Sequence, residues 1–210
     1  MQQSTTRSPA RGITFRETMS GPFALGEADP ASGARRGREQ GTSLALHATV
    51  TIPDIASFVA DPAHNGEIEG LVDFAPLGSG MRARGGRLQL FAPDGAPARK
   101  LMVYEVGFEH AGRPYYLAGR KEVRGGSPLA IWPHTTTLYT RLHEGGSSAG
   151  RVVGAGVLRL SVPAFAAQLG TMRPAGQGSA AGGLGALLAF GRFFAGEVLD
   201  SYGRPGRWRV

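Results

Sequence analysis

The side chains best able to do chemistry are concentrated in three short alternating segments. KLMVYEVGFE (100–109) places Leu101, Val103, Glu105 and Gly107 on one face and Met102, Tyr104, Val106 and Phe108 on the other. PYYLAGRKEV (114–123) sets Tyr115, Leu117, Gly119 and Lys121 against Tyr116, Ala118, Arg120 and Glu122. TTTLYTRL (135–142) sets Thr135, Thr137, Tyr139 and Arg141, followed by His143, against Thr136, Leu138, Thr140 and Leu142. Side by side, these strands are expected to gather Tyr104, Tyr116, Arg120 and Tyr139 among aliphatic groups. That is the makeup of an apolar pocket with a few hydrogen-bonding groups. The expected ligand-binding set is Met102, Tyr104, Phe108, Tyr116, Arg120, Leu138 and Tyr139. A plain core with tyrosine hydroxyls at its rim has the same composition. A second reading is catalytic. Glu105, Tyr116, Arg120, Tyr139 and His143 would be the acid/base or polarising groups of a cofactor-free isomerase or cyclase acting on a hydrophobic substrate. Strict alternation does not let all five face one lumen, and Glu105 and Arg120 also fit a cross-strand ion pair.

Other chemistries lack their signatures. There is no cysteine, which removes disulfides, thiol nucleophiles and Cys-ligated metals. His47, His64, His110, His134 and His143 show no i,i+2 or i,i+4 pair and no HExxH, so no metal is expected. Gly78-Ser79-Gly80 and Gly154-Ala155-Gly156 do not open a helix after a strand, and no cofactor is expected. No GxSxG elbow occurs. A Ser/His/Asp triad is recognised by geometry and stays open.

The formal charge is +7, but residues 41–170 carry 12 basic against 10 acidic residues. Most of the excess lies in the flanks, including Arg204, Arg207 and Arg209. Without a recognition helix or a basic-aromatic stripe, nucleic-acid binding is not expected. The first 12 residues lack an apolar signal core. Ala180 to Ala195 is interrupted by glycines and by Arg192, so no transmembrane segment is expected and the cytoplasm is the expected location.

These groups must be positioned by strands. A leader over 1–11 precedes a strand over Ile13–Met19, and a loop with at most one helical turn spans Gly26–Gly41. Leu44, Leu46, Ala48, Val50 and Ile52 mark one face of the strand Thr42–Ile52, and Asp54–Ala60 reads as a short helix. Further strands fall at Gly66–Phe74, at Met81–Arg84 and Arg87–Phe91 around a Gly85-Gly86 hairpin turn, at Lys100–Glu109, at Pro114–Val123, at Thr135–Leu142 and at Arg151–Leu160. Gly154 and Gly156 inside the last strand imply a bulge or close backbone approach. Ser161 caps a helix running to Met172; a Gly/Ser/Ala linker covers 174–183; and an apolar helix spans 184–203, ahead of a basic tail over 204–210. The expected fold is therefore mainly β: an antiparallel barrel of about eight strands, of lipocalin-like size, over 12–173, with short helices and the C-terminal helix at one end.

The runs FRETMSG (15–21), TVTIPDIASFVADPAHNGEIEGLVDF (49–74), LMVYEVGFEHAGRPYYLAGRKEVR (101–124), WPHTTTLYTRLHEG (132–145), VVGAGVLRLSVPAFAAQLGTMRP (152–174) and FGRFFAGEVLDSYG (190–203) resemble a bacterial accessory domain. That domain occurs in large proteins described as cholesterol oxidases, beside a glucose-methanol-choline flavin oxidoreductase domain and an α/β-hydrolase domain, and also as a free-standing chain. The resemblance implies a non-catalytic companion in sterol or lipid metabolism. Its partners would be a sterol-like or other hydrophobic small molecule and a flavin oxidoreductase or hydrolase. The catalytic motifs of those enzymes are not in this chain, so no catalytic residue carries over.

Overall fold

The computed structural model describes residues 12–95, 99–124, 131–175 and 180–202. The leader and the basic tail of the sequence reading lie outside these residues. Eight antiparallel strands form one sheet: β1 (Gly12–Leu25), β2 (Ser43–Ile52), β3 (Asn65–Phe74), β4 (Gly78–Pro93), β5 (Arg99–His110), β6 (Arg113–Arg124), β7 (Thr137–Glu144) and β8 (Arg151–Arg159). β1 closes the sheet into a barrel. Its first part pairs with β2 from Ile13↔Ile52 to Pro22↔Ser43, and its end pairs with β8 from Ser20↔Arg159 to Leu25↔Gly154. Closure leaves no long exposed strand edge. A three-residue β9 (Arg173–Ala175) adds to the start of β1, where the sequence suggested only linker.

Period-two alternation sends one face of each strand inward: Phe15 and Met19 from β1, Leu46 and Val50 from β2, Leu117 from β6, Leu138 and Leu142 from β7. An eight-stranded barrel is just wide enough for side chains to fill. At one end of the barrel, the Phe23 and Phe74 rings meet edge to face with centroids 5.1 Å apart. Gly154 and Gly156 make that possible: a Cβ on Gly156 would sit 2.5 Å from the Phe23 ring and from the Pro22 carbonyl oxygen. The close approach expected of these glycines is therefore the path of Phe23.

The Gly85-Gly86 hairpin is corrected. Met81–Arg84 and Arg87–Phe91 belong to the single strand β4, and Gly85-Gly86 is a bulge at which the pairing with β5 jumps from Arg84↔Gly107 to Arg87↔Glu105. Gly85 takes a positive φ of 59° while the chain continues in the same direction. The loop expected over Gly26–Gly41 is also corrected, since α1 (Pro30–Gln40) occupies most of it. Asp29 accepts a hydrogen bond from the Ser32 amide at the N-cap, and Gly41 ends the helix in the left-handed region. Gly33 and Gly37 weaken the intrinsic helix propensity, but they let the helix backbone lie directly on β8 and β1, where a Cβ would strike Ala155 and Phe23 backbone atoms.

The remaining helices gather at the opposite end of the barrel from the Phe23–Phe74 pair. α2 (Ile55–Ala60) starts at the Asp54 cap, α3 (Ile131–Thr136) precedes β7, α4 (Val162–Thr171) starts at the Ser161 cap, and α5 (Ala180–Tyr202) begins four residues before the expected position. Phe190 and Ala186 of α5 are buried against the barrel, while Leu184, Leu188 and Leu199 are more than half exposed. By length and composition alone, Gly182–Ser201 is long and apolar enough to cross a membrane, in contrast to the expectation drawn from its glycines and Arg192.

Gly156→Val is expected to lower unfolding stability by about 1–3 kcal/mol, because the new side chain and the Phe23 ring compete for the same space. Urea denaturation followed by circular dichroism measures this.

Candidate functional site

Among the described residues, the charged side chains in the barrel interior are gathered at one place. Glu17 on β1 and Lys121 on β6 are 3 % and 2 % exposed, with Lys121 Nζ 3.2 Å from Glu17 Oε1. The ammonium also donates to the Tyr104 hydroxyl at 3.2 Å and lies 4.5 Å from the centre of that ring. Tyr104 donates to Glu17 Oε2 at 3.3 Å, and Gln168 Nε2, from α4, donates to the same oxygen at 3.3 Å. Desolvation, reinforced by the nearby carboxylate, holds the Tyr104 phenol well above its ordinary value of 10.0, so it remains a neutral donor. The cluster ties β1, β5, β6 and α4 together across the lumen and fills its middle with polar groups that pair with one another, except that Gln168 Oε1 is buried with no hydrogen-bond partner. Met102, Tyr104, Phe108 and Leu138 all point into the barrel, as the pocket reading requires, and all are buried. Phe108, however, lies toward the other end of the barrel and stacks on Tyr115.

Tyr116, Arg120 and Tyr139 do not join them. Tyr104 pairs with Gly119, so the inward face of β6 is Leu117, Gly119 and Lys121, and Tyr116 and Arg120 point outward. Tyr139 pairs with Arg120 on the outer surface and is 49 % exposed. The expected single pocket is thus divided between the two faces of the sheet. The five catalytic candidates do share one face, but it is the outer one. Glu105 accepts from Arg87 Nη2 at 2.7 Å and from the Tyr116 hydroxyl at 3.2 Å, which raises the Tyr116 pKa through burial first and the carboxylate second. The expected Glu105–Arg120 pair is replaced by Glu105–Arg87. His143 pairs across from Tyr116 and its Nδ1 lies 2.9 Å from the Gly150 carbonyl oxygen. Glu105, Tyr116 and His143 line neither of the two surface clefts described below.

A hydroxyl–imidazole–carboxylate row does occur on the outer wall. Thr18 Oγ1 is 3.1 Å from His47 Nδ1, and His47 Nε2 is 3.0 Å from Asp73 Oδ2. The Gly80 amide, and then His47, hold the Asp73 carboxyl below its usual range. The row sits on the exposed flank of β1, β2 and β3, and its residues line neither of the two clefts described below.

The helix-capped mouth is the more elaborated region. Phe15, Phe58, Phe91, His64, Phe190, Phe193 and Phe194 form one aromatic assembly there, with Phe193 5.2 Å from Phe58 and 4.6 Å from His64, and Phe194 5.2 Å from Phe91. Two of its members are strained. Phe91 and His64 adopt φ of 53° and 46°, in the left-handed region that costs a side-chain-bearing residue on the order of 1–3 kcal/mol. A bulge in β4 between Gln89 and Ala92 turns both Leu90 and Phe91 into the buried mouth, and His64 Nδ1 is fixed 2.8 Å from the Leu90 carbonyl oxygen. Lys100 pairs with Glu197 at the flank of α5 and pins the helix over the opening.

Glu17, Lys121 and Gln168 were not among the residues expected at a site. The signal was present for two of them. Glu17 stands in the apolar series Ile13, Phe15, Met19, and Lys121 in the series Leu117, Gly119, Val123. Two opposite charges at inward positions must meet or be expelled.

Lys121→Met is expected to destabilise the protein by about 3–5 kcal/mol by stranding the Glu17 carboxylate, and adding Glu17→Leu should recover most of that loss. Denaturant titrations of the single and double variants check this. A second outcome concerns alkaline pH. Folded Tyr104 keeps its proton above pH 10.0, where the unfolded chain loses it, so its contribution to stability is complete below that pH and declines above it. Tyr104→Phe should flatten the alkaline limb of the stability–pH curve.

Comparison with family models, with curated proteins and with solved structures returns no match.

Proposed function

We propose that this chain is a non-catalytic binding module for a sterol-like or other hydrophobic ligand, serving the lipid-processing enzyme that acts on it. The observation that carries the reading is the aromatic mouth beneath α5. Side chains and the Glu17–Lys121 cluster fill the middle of the barrel, so the ligand site is shallow. It would lie where the rings of Phe15, Phe58 and Phe91 meet those of Phe190, Phe193 and Phe194 on α5, and because these rings already pack on one another, α5 would have to shift to admit a ligand. That helix is apolar on both sides: Phe190, Phe193 and Phe194 face the barrel, and Leu184, Leu188 and Leu199 face outward. Exposed leucines on the outer face, interrupted there by Arg192, leave apolar surface for a second neighbour. Two strained residues hold the rings at the mouth, and strain of this kind concentrates at ligand clamps. The resemblance to the accessory domain of cholesterol-oxidase-like proteins supports the same ligand class. The outer leucines are the surface left for a flavin oxidoreductase or hydrolase.

Titration of the full chain with dehydroergosterol and with cis-parinaric acid, followed by fluorescence, should give saturable one-to-one binding to at least one of them. Phe193→Ala removes a ring from the proposed site and should weaken that binding about tenfold or more, the equivalent of a buried aromatic contact. Leu184→Ser, on the outer face, should leave it unchanged. Absence of saturable binding to either probe overturns the reading.

A further inference from the structure

A second, chemically opposite concavity lies on the outer wall. The outward residues of β6, β7 and β8, with the start of α1, enclose an open cleft of about 660 Å3 lined by Arg120, Arg141 and Arg159 together with Glu122, His134 and Tyr139. A smaller neighbouring cleft of about 270 Å3 between α1 and the barrel shares Tyr139 and Arg159 and adds Arg38. Among the described residues, the two clefts bring four guanidinium groups around Tyr139, with Glu122 the one carboxylate in their lining.

Most of this positive charge is not there to hold the fold. Among the described residues, the side chains of Arg38, Arg120 and Arg159 make no ion pair or hydrogen bond. By contrast, Arg36, Arg87 and Arg151, also on the outside, each pair with a glutamate. Arg141 is fixed by a bond from Nε to the Ala28 carbonyl oxygen at 3.0 Å, which leaves its terminal nitrogens for another acceptor. Like charges on neighbouring strands repel, so such a group lowers stability unless an anion joins it. Guanidinium forks match the paired oxygens of phosphate and carboxylate groups. The half-exposed ring of Tyr139 supplies a flat apolar platform in their midst. The larger cleft falls within the size range of small-molecule sites.

We propose that this cleft is a binding site for a small phosphorylated ligand. The phosphate would be held by Arg120, Arg141 and Arg159, and a ring or other flat portion would rest on Tyr139. The site is separate from the aromatic mouth and does not depend on the ligand assigned there.

Isothermal titration calorimetry of the full chain at low ionic strength, with inorganic pyrophosphate and then with adenosine monophosphate, tests this. Saturable binding of pyrophosphate is expected. Arg120→Gln and Arg159→Gln should each weaken it about tenfold or more, the usual worth of a charge-assisted contact. Arg84→Gln, an exposed arginine outside the cleft, and Phe193→Ala, at the mouth, should leave it unchanged. Tyr139→Ala should weaken the nucleotide more than pyrophosphate. Thermal melts of each variant establish that the fold is retained. Three results overturn the proposal: no saturable binding of either anion, equal weakening by Arg84→Gln, or a single-stranded oligonucleotide binding more tightly than either small anion. The last would make the cleft part of a polymer-binding surface.

Discussion

The fold depends on a charge pair that exists only when the barrel is closed. Glu17 is on β1 and Lys121 on β6, and β1 is bonded to β2 and β8 rather than to β6. The pair therefore crosses the lumen. Each ion alone in that apolar interior would cost several kcal/mol, and good geometry with extra donors is what offsets the cost. Tyr104 and Gln168 supply those donors. The arrangement also penalises wrong registers. A one-residue slip of β1 would turn Arg16 and Thr18 inward, send Glu17 to solvent and leave Lys121 unpaired. The pair thus acts more through specificity than through net stability. It also divides the interior, with a packed apolar half around Phe23 and Phe74 on one side and the helix-capped aromatic mouth on the other.

Much of this architecture is written in local patterns. Alternation in β2 and β6 is clean because one face of each strand is dry, and the Asp54 and Ser161 caps mark their helices. The failures occurred where a glycine had two meanings. Gly85-Gly86 carries the turn signal, yet it relaxes a long strand that must bend around the barrel. Gly33 and Gly37 read as loop residues, yet they let a helix touch the sheet backbone. A glycine's conformational freedom is local, but its need for space is tertiary, and only the second decides these cases.

The division of the expected site has a different origin. Alternation sorts each strand into two faces without saying which face of one strand adjoins which face of the next. Here the information was available by counting. The β5–β6 hairpin closes with His110 opposite Arg113 around Ala111-Gly112, so paired positions follow at once and Tyr104 falls opposite Gly119. That register places Lys121 beside Tyr104 inside and Arg120 outside. The aromatic mouth was harder to foresee. Phe15, Phe58, Phe91 and Phe193 come from separate parts of the chain, and the left-handed backbone at Phe91 and His64 has no local signature.

Arg120 and Lys121 show how one barrel wall carries two chemistries. They are consecutive in sequence, both cationic, and occupy opposite faces of the sheet. Inside, water is excluded, so Lys121 must have its partner within the protein, and the cation becomes a structural element bound to Glu17. Outside, water screens the charge of Arg120 and of its neighbours Arg141 and Arg159, so the fold does not require a protein partner for each. A small net charge over the central body is therefore a poor guide to local potential. Carboxylates elsewhere balance the count, while the cleft beside α1 retains an excess of guanidinium groups. The same pleat that buries an ion pair to enforce closure presents the adjacent positions to solvent, where water tolerates unneutralised charge that the interior would not.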